Sequence, residues 1–462
     1  MLPLTIEEVL NAAGGRLASG DLPAGIAGVS TDTRTLKAGD LYIPLSGDRF
    51  DGHDFIGEAF RKGAAASFIS KKISTDSVAG PVIEVGDALL AYQALAGFYR
   101  RKLDLKVVAV TGSAGKTTTK ELIGAILEKK FATVKSEENF NNEIGVPRTI
   151  FKLEPKDEVA VLEMAMRGRE QIRPLARLAR PDVGVITNIG EAHYELLGSI
   201  QAIADAKGEL LEEMDKDAVA VLNADDGWLS YLRGKTNCRV LTFGESAGSD
   251  VRLEEAESLN LGGYRLRISF PSRTGYFDFP LLGRHNIKNA LAALTVGEVF
   301  GLGLPEMAEA LSGAVPGWKR MERRVLPGGI NLLLDCYNAN PGAVRQALDT
   351  LAALQADGKK VAVLGDMLEL GDITQQAHLD TGGYAALSGL DALYTVGALG
   401  ELIARGAREA GMSPERIFSF SSNGGAAKAL AGSLSGGEVI LIKGSRKMKM
   451  EEVAEFLTAS VK

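Results

Sequence analysis

Short apolar runs alternate with amphipathic stretches along most of this chain of 462 residues. In the middle of the chain the runs end at glycine or polar residues, which is typical of strands buried on both faces of a sheet. Strands that alternate with helices indicate a parallel sheet with right-handed crossovers. The candidate strands are residues 107–110, 159–164, 183–189 and 219–223, and a helix is predicted over 88–101.

The pattern changes between residues 250 and 280. Residues 264–268 alternate between polar and apolar side chains, a turn is indicated at 272–275, and a second short run covers 276–279. Alternation with a period of two is typical of a strand with one face exposed. We therefore predict a β-hairpin appended to the sheet.

The two ends of the chain have patterns of their own. Residues 1–84 mix short apolar runs with turn clusters, which favours a small α/β domain. From residue 318 onward, strand-like segments at 331–335, 360–365, 393–396 and 439–443 alternate with helical patterns such as 343–354. This indicates a Rossmann-like, doubly wound domain. The predicted fold is thus α/β with three domains, covering residues 1–84, 85–317 and 318–462.

The first strand of the middle domain leads directly into a glycine-bearing loop and a helix. The sequence there is Thr111-Gly112-Ser113-Ala114-Gly115-Lys116-Thr117-Thr118. A loop without bulky side chains lets backbone N–H groups and the helix dipole bind a triphosphate. Lys116 would bridge the β and γ phosphates, and the Thr117 hydroxyl would ligate Mg²⁺. Val110 replaces the first glycine of the usual P-loop motif, and an ordinary strand-turn-helix with a surface lysine is the alternative.

Further polar residues follow the predicted strands. Glu163 ends the second strand, where a carboxylate can reach a metal beside the phosphate loop. His193 follows the next strand, and Lys207 lies downstream of it. A strand-end glutamate is commonly just solvated and a loop histidine is often structural, but ligands of such sheets bind at this edge.

Charge and cysteine content exclude several classes of protein. The formal net charge of −7 disfavours a nucleic-acid partner. Cys238 and Cys336 lack metal-ligand spacing, as in proteins of a reducing compartment. The first fifteen residues carry Glu7 and Glu8 without a basic segment, and no apolar stretch reaches about 18 residues. We expect a cytoplasmic monomer without membrane insertion.

Five further motifs occur in one order through most of the chain, and together with the phosphate loop they resemble the Mur ligases, ATP-dependent amide-forming enzymes of peptidoglycan precursor synthesis. The loop form that lacks the first glycine is that family's own variant. The set resembles most closely the branch that adds D-alanyl-D-alanine to a UDP-N-acetylmuramoyl-tripeptide. The motifs are Asn139–Pro147, Gly283–Asn286 with Asn289, Tyr337–Pro341, Gly365–Met367 with Glu369–Gly371, and Lys443–Arg446.

The resemblance implies ATP and Mg²⁺ as cofactors and assigns the residues that bind them. Lys116, His193, Lys207 and Arg320 would be catalytic. The metal ligands would be Thr117, Glu163, His193 and, if carbamylated, Lys207. The nucleotide would be bound by Gly112, Ser113, Ala114, Gly115, Lys116, Thr117, Thr118, Asn286, Asn289, Arg320, Asp335, Tyr337, Asn338 and Asn340.

The resemblance also implies two small-molecule substrates, UDP-N-acetylmuramoyl-tripeptide and D-alanyl-D-alanine. The uridine nucleotide would bind at Thr31, Asp32, Thr33, Arg34, Ser46, Gly47, Asp51, Gly52 and His53. The muramoyl peptide would lie near Asn139, Asn141 and Asn142. The dipeptide would be flanked by Lys443, Ser445 and Arg446, because its carboxylate requires cationic or N–H donors.

Other functions fit parts of the pattern. The nearest alternatives are another Mur ligase, such as the enzyme that adds lysine or diaminopimelate, and a folylpolyglutamate synthase. A P-loop switch that signals to a partner is a different class, although the Asn-Lys-x-Asp motif for guanine is missing from the sequence. A protein that only binds a UDP-sugar is a third possibility, and it would not need Lys116.

Overall fold

The computed structural model describes residues 1–47, 50–71, 80–137, 140–192, 194–317 and 319–461. The predicted site residues Asn139 and His193 lie outside these ranges. The described part of the chain forms α/β layers along its whole length, with successive sheets for the N-terminal, middle and C-terminal parts.

The N-terminal part combines a mixed sheet with short helices. Its elements are β1 (Leu4–Thr5), α1 (Ile6–Ala13), β2 (Arg16–Ser19), β3 (Gly25–Ile26), β4 (Gly28–Ser30), β5 (Asp40–Tyr42), α2 (Ile56–Arg61), β6 (Ala66–Ile69) and β7 (Val82–Glu84). The sheet order is β2-β7-β6-β5-β4, antiparallel between β2 and β7 and parallel elsewhere, and β1 pairs with β3. The parallel strands direct the chain that follows β4 and β5 to one edge of the sheet.

The middle part contains the long sheet that carries the phosphate loop. Its helices are α3 (Ala88–Arg101), α4 (Lys116–Leu127), α5 (Gly145–Ile150), α6 (Ile172–Ala179), α7 (Tyr194–Leu197), α8 (Ile200–Glu212), α9 (Leu229–Arg233), α10 (Arg284–Val299) and α11 (Leu304–Ser312). Its strands are β8 (Lys106–Thr111), β9 (Thr133–Lys135), β10 (Val159–Glu163), β11 (Val183–Ile186), β12 (Val219–Asn223), β13 (Arg239–Gly244), β14 (Val251–Ser258), β15 (Tyr264–Phe270) and β16 (Arg273–Phe279).

The sheet order in the middle part is β16-β15-β14-β13-β12-β11-β8-β10-β9. Pairing is parallel from β9 to β14 and antiparallel from β14 to β16, so the predicted hairpin is present and β14 extends it. Val107 of β8 packs in the core on one face and Val108 in the core on the other. Burial on both faces explains the continuous apolar run.

The C-terminal part is a second parallel sheet with helices on both faces. Its elements are β17 (Glu322–Leu326), β18 (Ile330–Asp335), α12 (Pro341–Ala353), β19 (Lys360–Gly365), α13 (Thr374–Leu387), β20 (Ala392–Val396), α14 (Gly400–Glu409), β21 (Ile417–Phe420), α15 (Asn423–Ala431), β22 (Val439–Lys443) and α16 (Glu451–Ser460). The order is β17-β18-β22-β19-β20-β21, and β17 pairs antiparallel with β18. Asp335 and Lys443 are partners at the carboxyl ends of β18 and β22. Ligands of open α/β sheets bind at this kind of edge.

The middle and C-terminal parts contact each other at the β14–β15 connection. The Gln355 backbone N–H donates to Asn260 Oδ1 at 2.8 Å, and Asn260 Nδ2 donates to the Gln355 carbonyl at 3.3 Å. Leu261 packs against the C-terminal core. Within the described ranges, none of the helices has the length and apolar character needed to cross a membrane.

Candidate active site

The phosphate loop has a backbone that requires glycine at two positions. Gly112 has φ +149°, and a Cβ there would lie 1.9 Å from Thr187 Oγ1. Gly115 has φ +81°, and its Cβ would lie 2.3 Å from Asn289 Oδ1. Helix α4 begins at Lys116, directly after the loop. The first N–H groups of a helix have no partner within it, so these groups and the positive end of the helix dipole lie at the loop. The loop is built to receive an anion.

The segment after β11 supports this loop from behind. The Ser113 N–H donates to the Asn188 carbonyl at 2.9 Å, and the Ala114 N–H donates to Asn188 Oδ1 at 3.0 Å. Ser113 Oγ accepts from the Gly190 N–H at 2.8 Å. Sequence analysis missed Asn188, although its position directly after a predicted strand was a usable signal.

Two lysines converge on one carbonyl of the loop. Lys116 Nζ and Lys207 Nζ each donate to the Gly112 carbonyl at 2.9 Å, so the two nitrogens are at most about 6 Å apart. Burial lowers the pKa of Lys116. Burial and the nearby Lys116 together lower the pKa of Lys207 well below its usual value. Lys207 is therefore the side chain more easily held as a neutral amine.

Glu163 supplies a carboxylate at the edge of the sheet where the phosphate loop lies. It ends β10, which pairs with β8 so that Glu163 lies opposite Val110. Asn141 Nδ2 donates to Glu163 Oε1 at 2.8 Å, and both residues line the cleft next to Thr117. Mg²⁺ bound to a nucleotide takes one or two protein oxygens together with phosphate and water. The Thr117 hydroxyl and the Glu163 carboxylate suit that ion, and within the described ranges no group of three His, Cys, Asp or Glu forms a protein-only cage.

Helix α10 places two amides beside the loop. Asn286 Nδ2 donates to the Leu282 carbonyl at 2.7 Å, and Asn289 Nδ2 donates to Asn286 Oδ1 at 3.0 Å. Thr119 Oγ1 donates to Asn289 Oδ1 at 3.2 Å, which ties the pair to α4. Both asparagines are buried and line the cleft.

The C-terminal sheet forms the opposite wall. Arg320 Nη2 donates to Thr117 Oγ1 at 3.2 Å, and its guanidinium lies 3.9 Å from the centre of the Tyr337 ring. Asn338 and Asn340 also line this wall, and Asn340 Oδ1 caps α12 by accepting from the Ala343 N–H. The cleft between the two sheets encloses about 1050 Å³, part of it open to solvent.

Lys443 lies in this cleft rather than apart from it. Its side chain is 2% exposed, and Nζ lies 2.5 Å from Asp335 Oδ2 and 2.9 Å from the Asn338 carbonyl. The buried Ser445 Oγ accepts from the Leu368 N–H at 2.8 Å, and Arg446 Nη1 lies 3.5 Å from Glu451 Oε1. Of the three residues predicted for the dipeptide, Lys443 therefore lines the cleft, whereas Ser445 and Arg446 lie outside its lining.

His285 lines the cleft and was not among the predicted site residues. Its Nδ1 is buried without a hydrogen-bond partner among the described residues. Burial lowers the pKa of His285, although Asp335 opposes the shift, so the ring is neutral at neutral pH. The motif that supplied Asn286 and Asn289 contained the signal, because His285 lies in the first turn of the same helix.

The N-terminal site residues form two clusters. In the first, Arg34 Nη2 lies 2.7 Å from Asp32 Oδ2, and hydrogen bonding from Arg34 lowers the pKa of Asp32 to about 2. Thr33 beside them is buried. Thr31 and Asp32 line a cavity together with Arg148 and Lys152 from the segment around α5, two cations that sequence analysis did not select.

The second cluster is organised by Asp51. Its Oδ1 lies 2.7 Å from His53 Nδ1 and accepts from Ser46 Oγ at 3.1 Å, and Lys71 pairs with Oδ2. These contacts hold the pKa of Asp51 well below its usual range, and the hydrogen bond from Lys71 contributes most to the shift. A Cβ on Gly52 would lie 2.6 Å from the Leu45 carbonyl, and the Gly47 N–H donates to the Phe50 carbonyl. Asn142, outside this cluster, caps α5 by accepting from the Gly145 N–H at 2.9 Å.

A phosphate loop at the edge of a parallel sheet, facing a second α/β sheet across a cleft, defines a multidomain P-loop enzyme. Three family models refine that class: the Mur ligase catalytic domain over residues 25–101, the Mur ligase middle domain over 110–297, and the Mur ligase glutamate ligase domain over 319–446. The chain belongs to the Mur ligase family. This confirms both the resemblance seen in the motifs and the predicted α/β fold class.

Individual relatives match over nearly the whole chain. The UDP-N-acetylmuramoyl-tripeptide--D-alanyl-D-alanine ligase of Bacillus subtilis strain 168 is 36% identical over 100% of this chain and 99% of its own length. The ligase of that name from Escherichia coli strain K12 is 34% identical, with 99% of each chain covered. A crystal structure of MurF from Acinetobacter baumannii superposes with a TM-score of 0.91 at 29% identity, covering 99% of both chains.

The geometry of Gly115 leads to a first prediction. Gly115→Ala forces a non-glycine residue to positive φ, at a cost of about 1–3 kcal/mol, and drives its Cβ into Asn289. We expect the affinity for ADP, measured by calorimetry, to fall at least about tenfold.

The matched control is Gly424→Ala, because a Cβ there meets nothing within 4 Å. It should leave ADP affinity unchanged. Equal affinities for both variants, with unchanged melting temperatures, would contradict the proposed packing of the loop.

Proposed function

We propose that this protein is an ATP-dependent ligase that joins D-alanyl-D-alanine to UDP-N-acetylmuramoyl-tripeptide, forming the muramoyl pentapeptide precursor of peptidoglycan. The observation that carries the proposal is the phosphate loop facing Arg320 across the cleft, in a chain that aligns from end to end with ligases of that name. We also propose that it acts as a cytoplasmic monomer, with domains at 1–84, 85–317 and 318–462.

The chemistry requires activation of a carboxylate. A carboxylate oxygen of the tripeptide attacks the γ-phosphorus of ATP, the bond to the bridging oxygen breaks, and ADP leaves. Lys116 and Arg320 stabilise the charge that spreads over the transferred phosphoryl group. The amine of D-alanyl-D-alanine then adds to the acyl phosphate carbonyl and loses a proton. Phosphate departs with the electrons of the C–O bond, which leaves the amide.

Magnesium would be held beside the phosphates by Thr117 and Glu163, and the ion would supply further neutralisation of phosphate charge. We propose His193 as an additional ligand. We also propose that the neutral amine of Lys207 attacks the carbon of CO₂ and loses one N–H proton to water, which forms a carbamate. The modification would give Lys207 an anionic oxygen that can serve as a ligand for a second Mg²⁺.

The remaining cleft residues would bind the nucleoside. Asn286 and Asn289 offer amides to the adenine edge, and Asp335 suits the ribose hydroxyls. Tyr337, Asn338 and Asn340 form the surface that faces the nucleotide. Loop residues Gly112, Ser113, Ala114, Gly115, Lys116, Thr117 and Thr118 would bind the phosphates.

The other substrates would approach from the two sides. The uridine nucleotide would bind at residues 31–34, where Arg148 and Lys152 add positive charge for a diphosphate, and at Ser46, Gly47, Asp51, Gly52 and His53. Asn139, Asn141 and Asn142 would lie near the muramoyl peptide. We propose Ser445 and Arg446 for the dipeptide, together with Lys443, whose pairing with Asp335 links the dipeptide side to the ribose side.

The deciding assay is phosphate release from ATP with UDP-N-acetylmuramoyl-tripeptide, in lysine and diaminopimelate forms, with and without D-alanyl-D-alanine. We expect release that depends on both substrates, because the acyl phosphate needs an acceptor amine. The form of the tripeptide that gives faster release identifies the third residue of the natural peptide substrate as lysine or diaminopimelate. Release without an acceptor would favour a P-loop switch, and no release with either tripeptide would favour a sister ligase.

Carbamylation of Lys207 gives a separate prediction. Burial and the nearby Lys116 lower the pKa of Lys207 well below its usual value and so favour the neutral amine that reacts with CO₂, and isotopically labelled CO₂ should therefore appear at Lys207 in mass spectra. The label should be lost as the pH falls through that pKa, because protonation removes the nucleophile.

Lys120 is the matched control, since it is equally buried but lies 2.9 Å from Glu121. It should remain unlabelled. Labelling of both lysines, or of neither, would contradict the proposal for Lys207.

Glu163→Gln tests the metal assignment. Removing the charge while keeping a hydrogen-bonding side chain should raise the Mg²⁺ concentration for half-maximal activity at least about tenfold. Glu158→Gln, directly before the same strand at its other end, is the control and should leave the Mg²⁺ requirement unchanged. An unchanged requirement in Glu163→Gln would remove Glu163 from the metal site.

A further inference from the structure

The loop that carries Arg320 has a strained backbone. Lys319 and Met321, on either side of Arg320, have φ of +55° and +56°. A left-handed backbone is unfavourable for a residue other than glycine, because its Cβ crowds the neighbouring carbonyl oxygen. The conformation must therefore be held by contacts with the rest of the protein.

One of those contacts is a buried ion pair outside the cleft. Lys319 Nζ lies 2.6 Å from Glu451 Oε1, and the two side chains are 8% and 11% exposed. Burial raises the pKa of Glu451, but the hydrogen bond from Lys319 and a backbone N–H outweigh it, so the net pKa is lowered. The carboxylate is charged, and the pair is a true ion pair.

The remaining contacts fix the loop on both sides of Arg320. The Tyr337 N–H donates to the Lys319 carbonyl at 3.2 Å, which places the Tyr337 ring under the Arg320 guanidinium. The Met321 side chain is buried in the C-terminal core. Arg320 itself then reaches Thr117 of the phosphate loop.

Glu451 also connects this loop to the segment after β22. It is the first residue of α16, and its Oε1 lies 3.5 Å from Arg446 Nη1. Its Oε2 is buried without a hydrogen-bond partner in the described part of the chain. A half-satisfied buried carboxylate costs free energy, which argues that its position serves more than stability.

We propose that the Lys319–Glu451 ion pair is a positioning device that holds Arg320 toward the phosphate loop and links its orientation to the segment of Ser445 and Arg446. Neither member of the pair lines the cleft, so both act through Arg320. The proposal rests on the proposed function of Arg320 at the γ-phosphate.

Lys319→Met and Glu451→Gln test it. Without the pair the loop can leave the left-handed conformation, and Arg320 no longer stays at the phosphates. We expect kcat to fall about tenfold, with KM for the tripeptide changed less than about twofold. Lys319→Arg should restore most of kcat.

A double-mutant cycle separates positioning from a general structural effect. Lys319→Met should add no further loss of kcat in an Arg320→Ala background, because its effect passes through the missing guanidinium. Hydrogen exchange of the amides at 319–321, in the presence of a non-hydrolysable ATP analogue, should be faster in Lys319→Met than in the parent protein.

Glu438→Gln is the matched control. Glu438 is 1% exposed and accepts from the Ser435 N–H just before β22, far along that strand from Lys443. It should lower the melting temperature without changing kcat or the exchange at 319–321.

The outcomes separate the two proposals. Additive losses in the cycle, or a folded Lys319→Met with unchanged kcat while Arg320→Ala is impaired, would overturn the positioning proposal alone. An unimpaired Arg320→Ala would overturn the function proposed for Arg320, and the positioning proposal with it.

Discussion

Repulsion between buried cations around the phosphate loop is the constraint on which the rest of the structure depends. Lys116 and Lys207 donate to the same carbonyl, and Arg320 reaches the loop from the other wall. Two charges at most about 6 Å apart repel by at least roughly 3 kcal/mol at an effective dielectric constant near 20. A bound triphosphate relieves this repulsion, and neutralisation of Lys207 relieves part of it before the nucleotide arrives.

The fold makes such a concentration of charge possible by placing strand ends together. β8 lies between β10 and β11, so the loop after β8, the carboxylate at the end of β10 and Asn188 after β11 share one edge. The backbone of the loop is fixed by direct contacts with Thr187 and Asn289, which leave space for glycine alone. Hydrogen-bond donors that the fold already holds in place need not rearrange when charge develops on a phosphoryl group.

The sequence predicts most of the central architecture because burial on both faces leaves a distinct pattern. The run at 107–110 and the helix at 88–101 are found as β8 and α3. The strands that were missed in the middle and C-terminal parts are β9, β13, β14, β17 and β21, of which β9, β17 and β21 lie at the edges of their sheets. β14 contains Arg252, Glu254 and Glu255, so its composition resembles a polar loop. A strand of this kind is specified by its neighbours.

The candidate site likewise contains residues that could be predicted from the sequence and residues that could not. The loop from 111 to 118 was readable because one continuous segment carries the geometry. The pairing of Lys443 with Asp335 was not, because it depends on β18 and β22 being neighbours although 108 residues separate the two side chains. The same holds for Arg148 and Lys152 beside Asp32, which come together only when the N-terminal sheet packs near α5.

Asp335 and Lys443 place two segments of the candidate site on the same edge of the C-terminal sheet. Both residues lie at the carboxyl edge where β18 and β22 meet, and the segments that follow them lead to Tyr337 on one side and to Ser445 on the other. A movement of this sheet against the phosphate loop must therefore carry the segment of Tyr337 and the proposed dipeptide segment together. An acyl phosphate is readily hydrolysed. A wall that closes on the phosphates and also carries the acceptor amine shortens the time during which the acyl phosphate is exposed to water. The two segments move together because β18 and β22 are paired strands of one sheet, and the Asp335–Lys443 ion pair reinforces this link, since breaking it would leave the buried Lys443 ammonium without its counter-charge.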